Sequence, residues 1–362
     1  MVGRRMFAVV LILVGLVMLA NNLGLIAWSV RDAFRVLWPV LLVLFGLSLV
    51  FEGSGFRALG GWLIVIVLVL ILGGAMALRA GWVPDGRLWR ASEAKTRSFE
   101  VPAAAYEPEA VRLRISLGSS RVMLGESERP GLLFTRATYY MPEDEPRLSQ
   151  RMSGGTLVLD YTEKGGRTFG IRFSHPQDTH EVQLGEFGVA TDILMDLGSG
   201  DGTVELGRTR VRELRLDIGS GTLLCRATGA LAEPSEAFTC EVGSGSVEVV
   251  RLGDFKPRDV EVKVGSGSAR VDLDGGWVSG VVDVRLDVGS GELEVRIPAE
   301  AGFTITGRKA SGTVYVDGRR YQDREFEHSE RFDTAPVKLR VIADVGSGEL
   351  RVRTIRAGGT EV

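Results

Sequence analysis

From about residue 110 onward, apolar and polar positions alternate with a period of two, and the alternation breaks at short glycine corners. Leu214, Leu216 and Ile218 lead into Gly219-Ser220-Gly221, and Leu223 and Cys225 follow on the opposite parity. The same flip separates Val260, Val262 and Val264 from Ala269 and Val271, and Val284, Leu286 and Val288 from Leu293, Val295 and Ile297. It recurs at both ends, as Leu113, Ile115, Leu117 against Val122, Leu124, and as Leu339, Val341, Val345 against Leu350, Val352. Successive strand side chains point to opposite faces, so a change of parity turns the second arm outward unless the backbone bends or bulges between the arms. Glycine is expected to supply the backbone freedom for that bend.

The corners recur at regular distances. Clear copies are Gly198-Ser199-Gly200, Gly219-Ser220-Gly221, Gly243-Ser244-Gly245, Gly265-Ser266-Gly267, Gly289-Ser290-Gly291 and Gly346-Ser347-Gly348. Looser ones are Gly118-Ser119-Ser120 and Ala310-Ser311-Gly312. Steps between first residues are 21, 24, 22 and 24 from 198 to 289, then 21 to Ala310 and 36 to Gly346. A repeat of this length is the mark of a solenoid whose rungs bury their faces only against neighbours. The pattern predicts a right-handed, single-chain β-solenoid of seven or eight rungs with these glycines as structural corners. The serines are expected to stack as a structural ladder, with a ligand-binding row of hydroxyls as the alternative.

Around this core the chain divides by pattern. Residues 1–79 are almost continuously apolar, with spans expected at about 6–28, 34–51 and 59–78, near bilayer length for the latter two. Residues 80–110 read as a juxtamembrane linker and 111–192 as irregular first rungs or a cap. Within that cap, Leu132 to Tyr140 and Thr156 to Tyr161 read as strands. Regular rungs are expected over 193–355, with Arg319 to Asp333 an inserted loop before the last rung, and 356–362 a tail. Trp28, Trp38, Trp62 and Trp82 lie near the predicted span ends, as an aromatic belt would.

Charge follows the same division. Residues 1–90 carry eight basic and three acidic groups, a net of +5; the other 272 carry 35 and 43, a net of −8. That sign argues against nucleic acid as a partner of the soluble part and against that part lying on anionic lipid. Five arginines (Arg31, Arg35, Arg79, Arg87, Arg90) against three (Arg4, Arg5, Arg57) lean toward a cytoplasmic β-domain.

The run Leu19-Ala20-Asn21-Asn22-Leu23-Gly24-Leu25, then Leu37-Trp38-Pro39-Val40-Leu41-Leu42 and Gly46, resembles the LiaI/LiaF-type transmembrane region of bacterial envelope-stress proteins. Ala137-Thr138-Tyr139 and Ser153-Gly154-Gly155-Thr156-Leu157-Val158-Leu159, ahead of the Gly-Ser-Gly rungs, resemble the toast-rack β-domain of LiaF and related adhesins. The resemblance implies a multi-pass bacterial membrane protein in envelope-stress sensing or regulation, with the bilayer, membrane or signalling proteins and a second copy as partners. The three apparent spans depart from the four of LiaF.

Candidate chemistry is sparse. His175 and His180 fall in a stretch read as an exposed loop, too few for a metal site, and His328 stands apart. Asp196, Asp217, Glu241, Lys263 and Asp287 precede successive corners on the outward parity and are expected to stack as a solvated row. The Gly-Ser-Gly corners lead into strands and therefore lack the strand-to-helix context of a nucleophile elbow. Cys225 and Cys240 sit on inward positions and read as buried free thiols. No cofactor is expected. The sequence points to a non-enzymatic, membrane-tethered scaffold, with an extracytoplasmic adhesin or envelope-binding module, and then a carbohydrate-active β-helix, as rivals.

Overall fold

A computed structural model describes residues 93–163, 177–185, 188–321, 325–356 and 360–361. The chain divides into two compact units, residues 1–90 and 91–362. The three expected spans lie outside the described residues, as does His175. No helix among the described residues is long and apolar enough to cross a membrane.

The described residues are built mostly on strands, with short 3-10 turns between some of them. The fold opens with β1 (Lys95–Val101), β2 (Ala110–Leu117), β3 (Arg121–Glu126) and β4 (Leu133–Tyr139). Then come β5 (Pro146–Ser153), β6 (Thr156–Glu163) and β7 (Thr179–Leu184). The regular stretch holds β8 (Ala190–Leu197), β9 (Asp201–Leu206), β10 (Val211–Ile218), β11 (Thr222–Ala227), β12 (Ala237–Val242) and β13 (Ser246–Val250). It continues through β14 (Asp259–Val264), β15 (Ser268–Asp272), β16 (Gly280–Val288) and β17 (Glu292–Pro298). The last elements are β18 (Gly302–Lys309), β19 (Thr313–Val316), β20 (Arg319–Tyr321), β21 (Glu325–His328), β22 (Val337–Val345), β23 (Glu349–Arg356) and β24 (Thr360–Glu361). Thus Lys95–Val101, inside the stretch read as linker, is a strand, and Arg319–Tyr321 and Glu325–His328, inside the stretch read as a loop, are two more.

Strands before a corner join one sheet and strands after it join the other. The first sheet runs β21-β18-β22-β16-β14-β12-β10-β8-β2-β6-β5. The second runs β1-β4-β7-β3-β9-β11-β13-β15-β17-β23-β19-β20, with β24 on β23. Within the column neighbours are parallel and in register, as in Leu216 beside Cys240 and Cys240 beside Val262. Their inward side chains form one continuous apolar core, in which Val242, Val247 and Val249 are all buried. The apolar parity therefore does change across each corner while both arms face inside.

The glycines achieve this for a reason other than the expected one. No corner glycine occupies the left-handed φ range. What excludes a side chain is the next rung: a Cβ on Gly245 would lie 2.2 Å from the Gly221 carbonyl oxygen, and one on Gly267 2.2 Å from that of Gly245. The first glycine of the Gly-Ser-Gly corners is less tight, from 2.6 Å between a Gly219 Cβ and the Gly198 oxygen to 3.0 Å at Gly265. Serine N–H groups donate across the same gap, Ser244 to the Gly219 carbonyl at 2.7 Å and Ser266 to that of Gly243 at 2.7 Å. The corner is thus a close-packed column of backbone.

Order along the column also departs from order along the chain. The corner at Gly346 bonds to Val288 and Gly289, and the corner at Ala310 stacks outside it, Ala310 N–H donating to the Val345 carbonyl. The 36-residue step is therefore no simple insertion before a last rung: β22–β23 slots between β16–β17 and β18–β19. The other end does the same, with β2–β3 held between β8–β9 and β6–β7. Antiparallel strands finish both ends, β1, β4 and β5 at one and β20, β21 at the other.

Candidate functional site

Along the corner edge the column carries a polar trough of about 790 Å³. One wall is the serine stack Ser220, Ser244, Ser266, Ser290 and Ser347; the other is the first outward residue of each following strand. Register aligns Thr222, Ser246, Ser268, Glu292, Glu349 and Thr313 in that second row. Ser268 Oγ donates to Ser246 Oγ at 3.1 Å, and Arg351 pairs with both Glu292 and Glu349. Parallel strands repeat about every 4.8 Å, so the trough offers a row of serines at that spacing beside a second row in which Glu292 and Glu349 interrupt the hydroxyls. Neither histidine nor lysine lines it. Such a surface can exchange hydrogen bonds with a polar partner, and its two carboxylates, Glu292 and Glu349, are both engaged by Arg351.

The outward row of charges is aligned as well. Asp196, Asp217, Glu241, Lys263 and Asp287 sit side by side, and the row extends to Asp344 and Arg308. Lys263 lies 3.0 Å from Glu261 and 3.5 Å from Glu241, and Arg215 reaches Glu241 at 2.9 Å. Among the described residues no group of three or more His, Cys, Asp or Glu is placed to hold a metal. Cys225 and Cys240 are buried and unbridged, and burial pushes the Cys240 thiol up to about 12, which keeps it an inert thiol at neutral pH.

One expectation is overturned. His180 is a buried residue of β7 instead of part of an exposed loop, and it belongs to a polar cluster. Tyr161 Oη lies 2.8 Å from His180 Nδ1, and His180 Nε2 lies 3.4 Å from Glu163 Oε1. Glu163 also accepts from Ser120 Oγ and, at 3.1 Å, from the Gly118 N–H. Burial works to raise the Glu163 carboxyl, but bonds from His180, Ser120 and Gly118 outweigh it and hold it below the usual range. Nearby, Asp178 and Asp144 are buried together; burial first, then the Asp144 carboxyl, pushes Asp178 up to about 6.

Parity could have revealed most of this cluster. Tyr161 and Glu163 share the inward parity of Leu157 and Leu159, and Asp178 and His180 that of Val182 and Leu184. Asp144 gave no such signal, because it arrives from a 3-10 turn, Pro142–Asp144.

Residues 5–50 match the model of the LiaI-LiaF-like transmembrane region, so the chain carries a membrane region of that type at this end. The chain matches none of the curated proteins it was compared with. Among solved structures it is similar to a "putative cell adhesion protein" from Clostridium sporogenes, at 16% identity and TM-score 0.42, over 73% of this chain and 100% of that one. A "putative adhesin" from Bacteroides fragilis shares 9% identity at TM-score 0.32, over 72% and 97%. A "putative lipid binding protein" from Parabacteroides distasonis shares 14% at TM-score 0.27, over 72% and 96%.

Proposed function

We propose that the protein is a non-enzymatic, membrane-anchored scaffold or regulator of the bacterial envelope-stress response, presenting its solenoid to membrane or signalling proteins. The observation that carries this reading is the LiaI-LiaF-like transmembrane match at residues 5–50, on the same chain as a solenoid whose interior is filled by apolar side chains. Such a filled interior supports a rigid surface and leaves the outer faces as the places where a partner can bind. Asp196, Asp217, Glu241 and Asp287 lie on the outward side of a sheet and line none of these three grooves, and the two acids that line the trough, Glu292 and Glu349, stand side by side on Arg351, whereas a glycosidase needs two acids facing each other across a substrate.

The test is photo-crosslinking in cells, with a benzophenone residue placed at Ser244 in the trough or at Glu261 on the opposite sheet. Capture of a membrane or signalling protein, together with an altered envelope-stress reporter when the gene is deleted, is the expected result. Capture of glycan alone, with an unchanged reporter, would favour the second reading, an extracytoplasmic envelope-binding module. The hydroxyl trough is the observation on that side. A reporter fused after Val362 gives the face of the membrane directly, and an external signal would remove the cytoplasmic lean.

A further inference from the structure

The first sheet ends at β5, and among the described residues no strand pairs with its outer side. β5 has eight residues and keeps unbroken register with β6, from Pro146 opposite Glu163 to Ser153 opposite Thr156. At the far end of the two sheets the terminal strands, β20 and β21, have three and four residues. Short edge strands are one way a fold blocks strand addition, and β5 is not blunted in that way. We propose, on the reading of the solenoid as a protein-binding scaffold, that β5 receives an extended segment of a partner protein as an added strand, with acidic and apolar residues alternating.

The acidic half of that pattern comes from the outer face. Register sets Arg147, Ser149 and Arg151 beside Thr162, Asp160 and Val158 of β6, which lie beside Ser116, Arg114 and Arg112 of β2. Further in, arginines on this face are answered by a carboxylate on an adjoining strand. Arg114 lies 3.5 Å from Asp160, Arg112 3.1 Å from Asp192 of β8, and Arg215 2.9 Å from Glu241 of β12. Arg147 and Arg151 are exposed, and neither has an ion pair among the described residues. Their neighbours on β6, Thr162 and Val158, bear no charge, so matching carboxylates would come from the next strand outward. The other terminal strand at this end, β1, carries Thr96, Ser98 and Glu100 on its outward parity and offers no such cations.

The apolar half comes from the inner face. Leu148, Gln150 and Met152 lie opposite the buried Tyr161, Leu159 and Leu157 and share their parity. Leu148 packs against the core, Gln150 Oε1 accepts the Tyr106 hydroxyl at 2.6 Å, and Met152 remains 44% exposed. An added strand sets apolar side chains beside Leu148 and Met152 while its carboxylates meet Arg147 and Arg151. Every second residue of an antiparallel edge strand turns its N–H and C=O outward, which supplies the new ladder.

Two other occupants fit less well. A second β5 paired symmetrically about Ser149 sets Arg147 of one copy opposite Arg151 of the other, and like charges directly opposite repel. An anionic membrane would meet a unit whose 35 basic and 43 acidic groups leave a net of −8, whereas a single strand meets the two arginines alone.

The experiment is fluorescence anisotropy on the full chain in zwitterionic nanodiscs, titrated with a labelled peptide of alternating Glu and Val about as long as β5. Saturable binding is expected, and none for a peptide of alternating Lys and Val. The double variant Arg147→Glu, Arg151→Glu should weaken binding roughly tenfold or more, since two attractive cross-strand pairs become repulsive. The acidic peptide N-methylated at every amide keeps its charges, cannot build a ladder and should not bind. If the double variant does not fold, hydrogen–deuterium exchange on the wild type decides: the acidic peptide must protect β5 and leave β12 to β15 unchanged. No binding of the acidic peptide, equal binding of its methylated form, or undiminished binding to the folded double variant overturns the proposal. So does self-association that the double variant abolishes, or displacement of the peptide by phosphatidylglycerol vesicles, which would give the edge to a second copy or to lipid. A failed titration leaves the envelope-stress reporter result standing, and an unchanged reporter leaves the titration standing.

Discussion

Between β10 and β17 the inward positions of the strands carry only apolar side chains, the buried polar groups Ser235 and Asp254 lie in connecting turns, and each corner is glycine stacked on glycine. At the β6–β7 rung the same inward parity carries Tyr161, Glu163, Asp178 and His180. In the column, adhesion is non-directional and close approach is enforced by the absence of side chains. At the end rung, adhesion is directional: Glu163 receives the Gly118 N–H with its carboxylate, where Gly243 N–H in the column donates to the Ile218 carbonyl. Apolar packing is indifferent to pH, whereas a buried polar cluster is not. The two regions are thus held by different forces, packing in the column and directed polar bonds at the end rung.

Breaking the column should give the largest effect. Gly245→Ala drives a Cβ to 2.2 Å from the Gly221 oxygen and 3.0 Å from its nitrogen, with backbone on both sides of the contact. Overpacking of this kind is expected to cost at least about 3 kcal/mol, read as a fall in the urea midpoint of the β-domain. Gly229→Ala is the matched control, since nothing lies within 4 Å of its Cβ and its φ is unexceptional, so it should be neutral or slightly stabilising. Equal costs for the two substitutions would remove the steric account of the corners.

Breaking the end rung should be smaller and local. Glu163→Ala leaves the Gly118 N–H and the Ser120 hydroxyl without their carboxylate, a loss of about 2 kcal/mol. Repeats contact only their neighbours, so the damage should appear as proteolysis within 127–189 while the column melts as before. If the whole domain instead melted in step with the loss, the two regions would be one cooperative unit and the contrast would fail.

Periodicity made the column legible because both of its determinants, alternate apolar residues and small corners, are written in every repeat. Parity placed Cys225, Cys240, Val247 and Val249 inside, where they are. The reason for glycine was not legible. Close approach of Gly245 to Gly221 depends on which rungs touch, and that is a property of the stack. Intercalation of β22–β23 was hidden for the same reason, since the 36-residue step records chain length and carries no information about spatial order. His180 was missed because a histidine near prolines and polar residues looks like loop, although its parity with Val182 and Leu184 placed it inside.

The smallest effect is expected on the outward face, where the regular rungs do carry charge. Lys263 sits between Glu241 and Asp287 in register and contacts Glu261 and Glu241, so it relieves a row of like charges in the middle of the column. Its side chain is 42% exposed, and solvent and salt screen such pairs. Lys263→Ala should therefore cost less than about 1 kcal/mol at low salt, shrinking further at 1 M salt, in the same urea titration. A larger, salt-independent loss would mean that the charge row holds the sheet together.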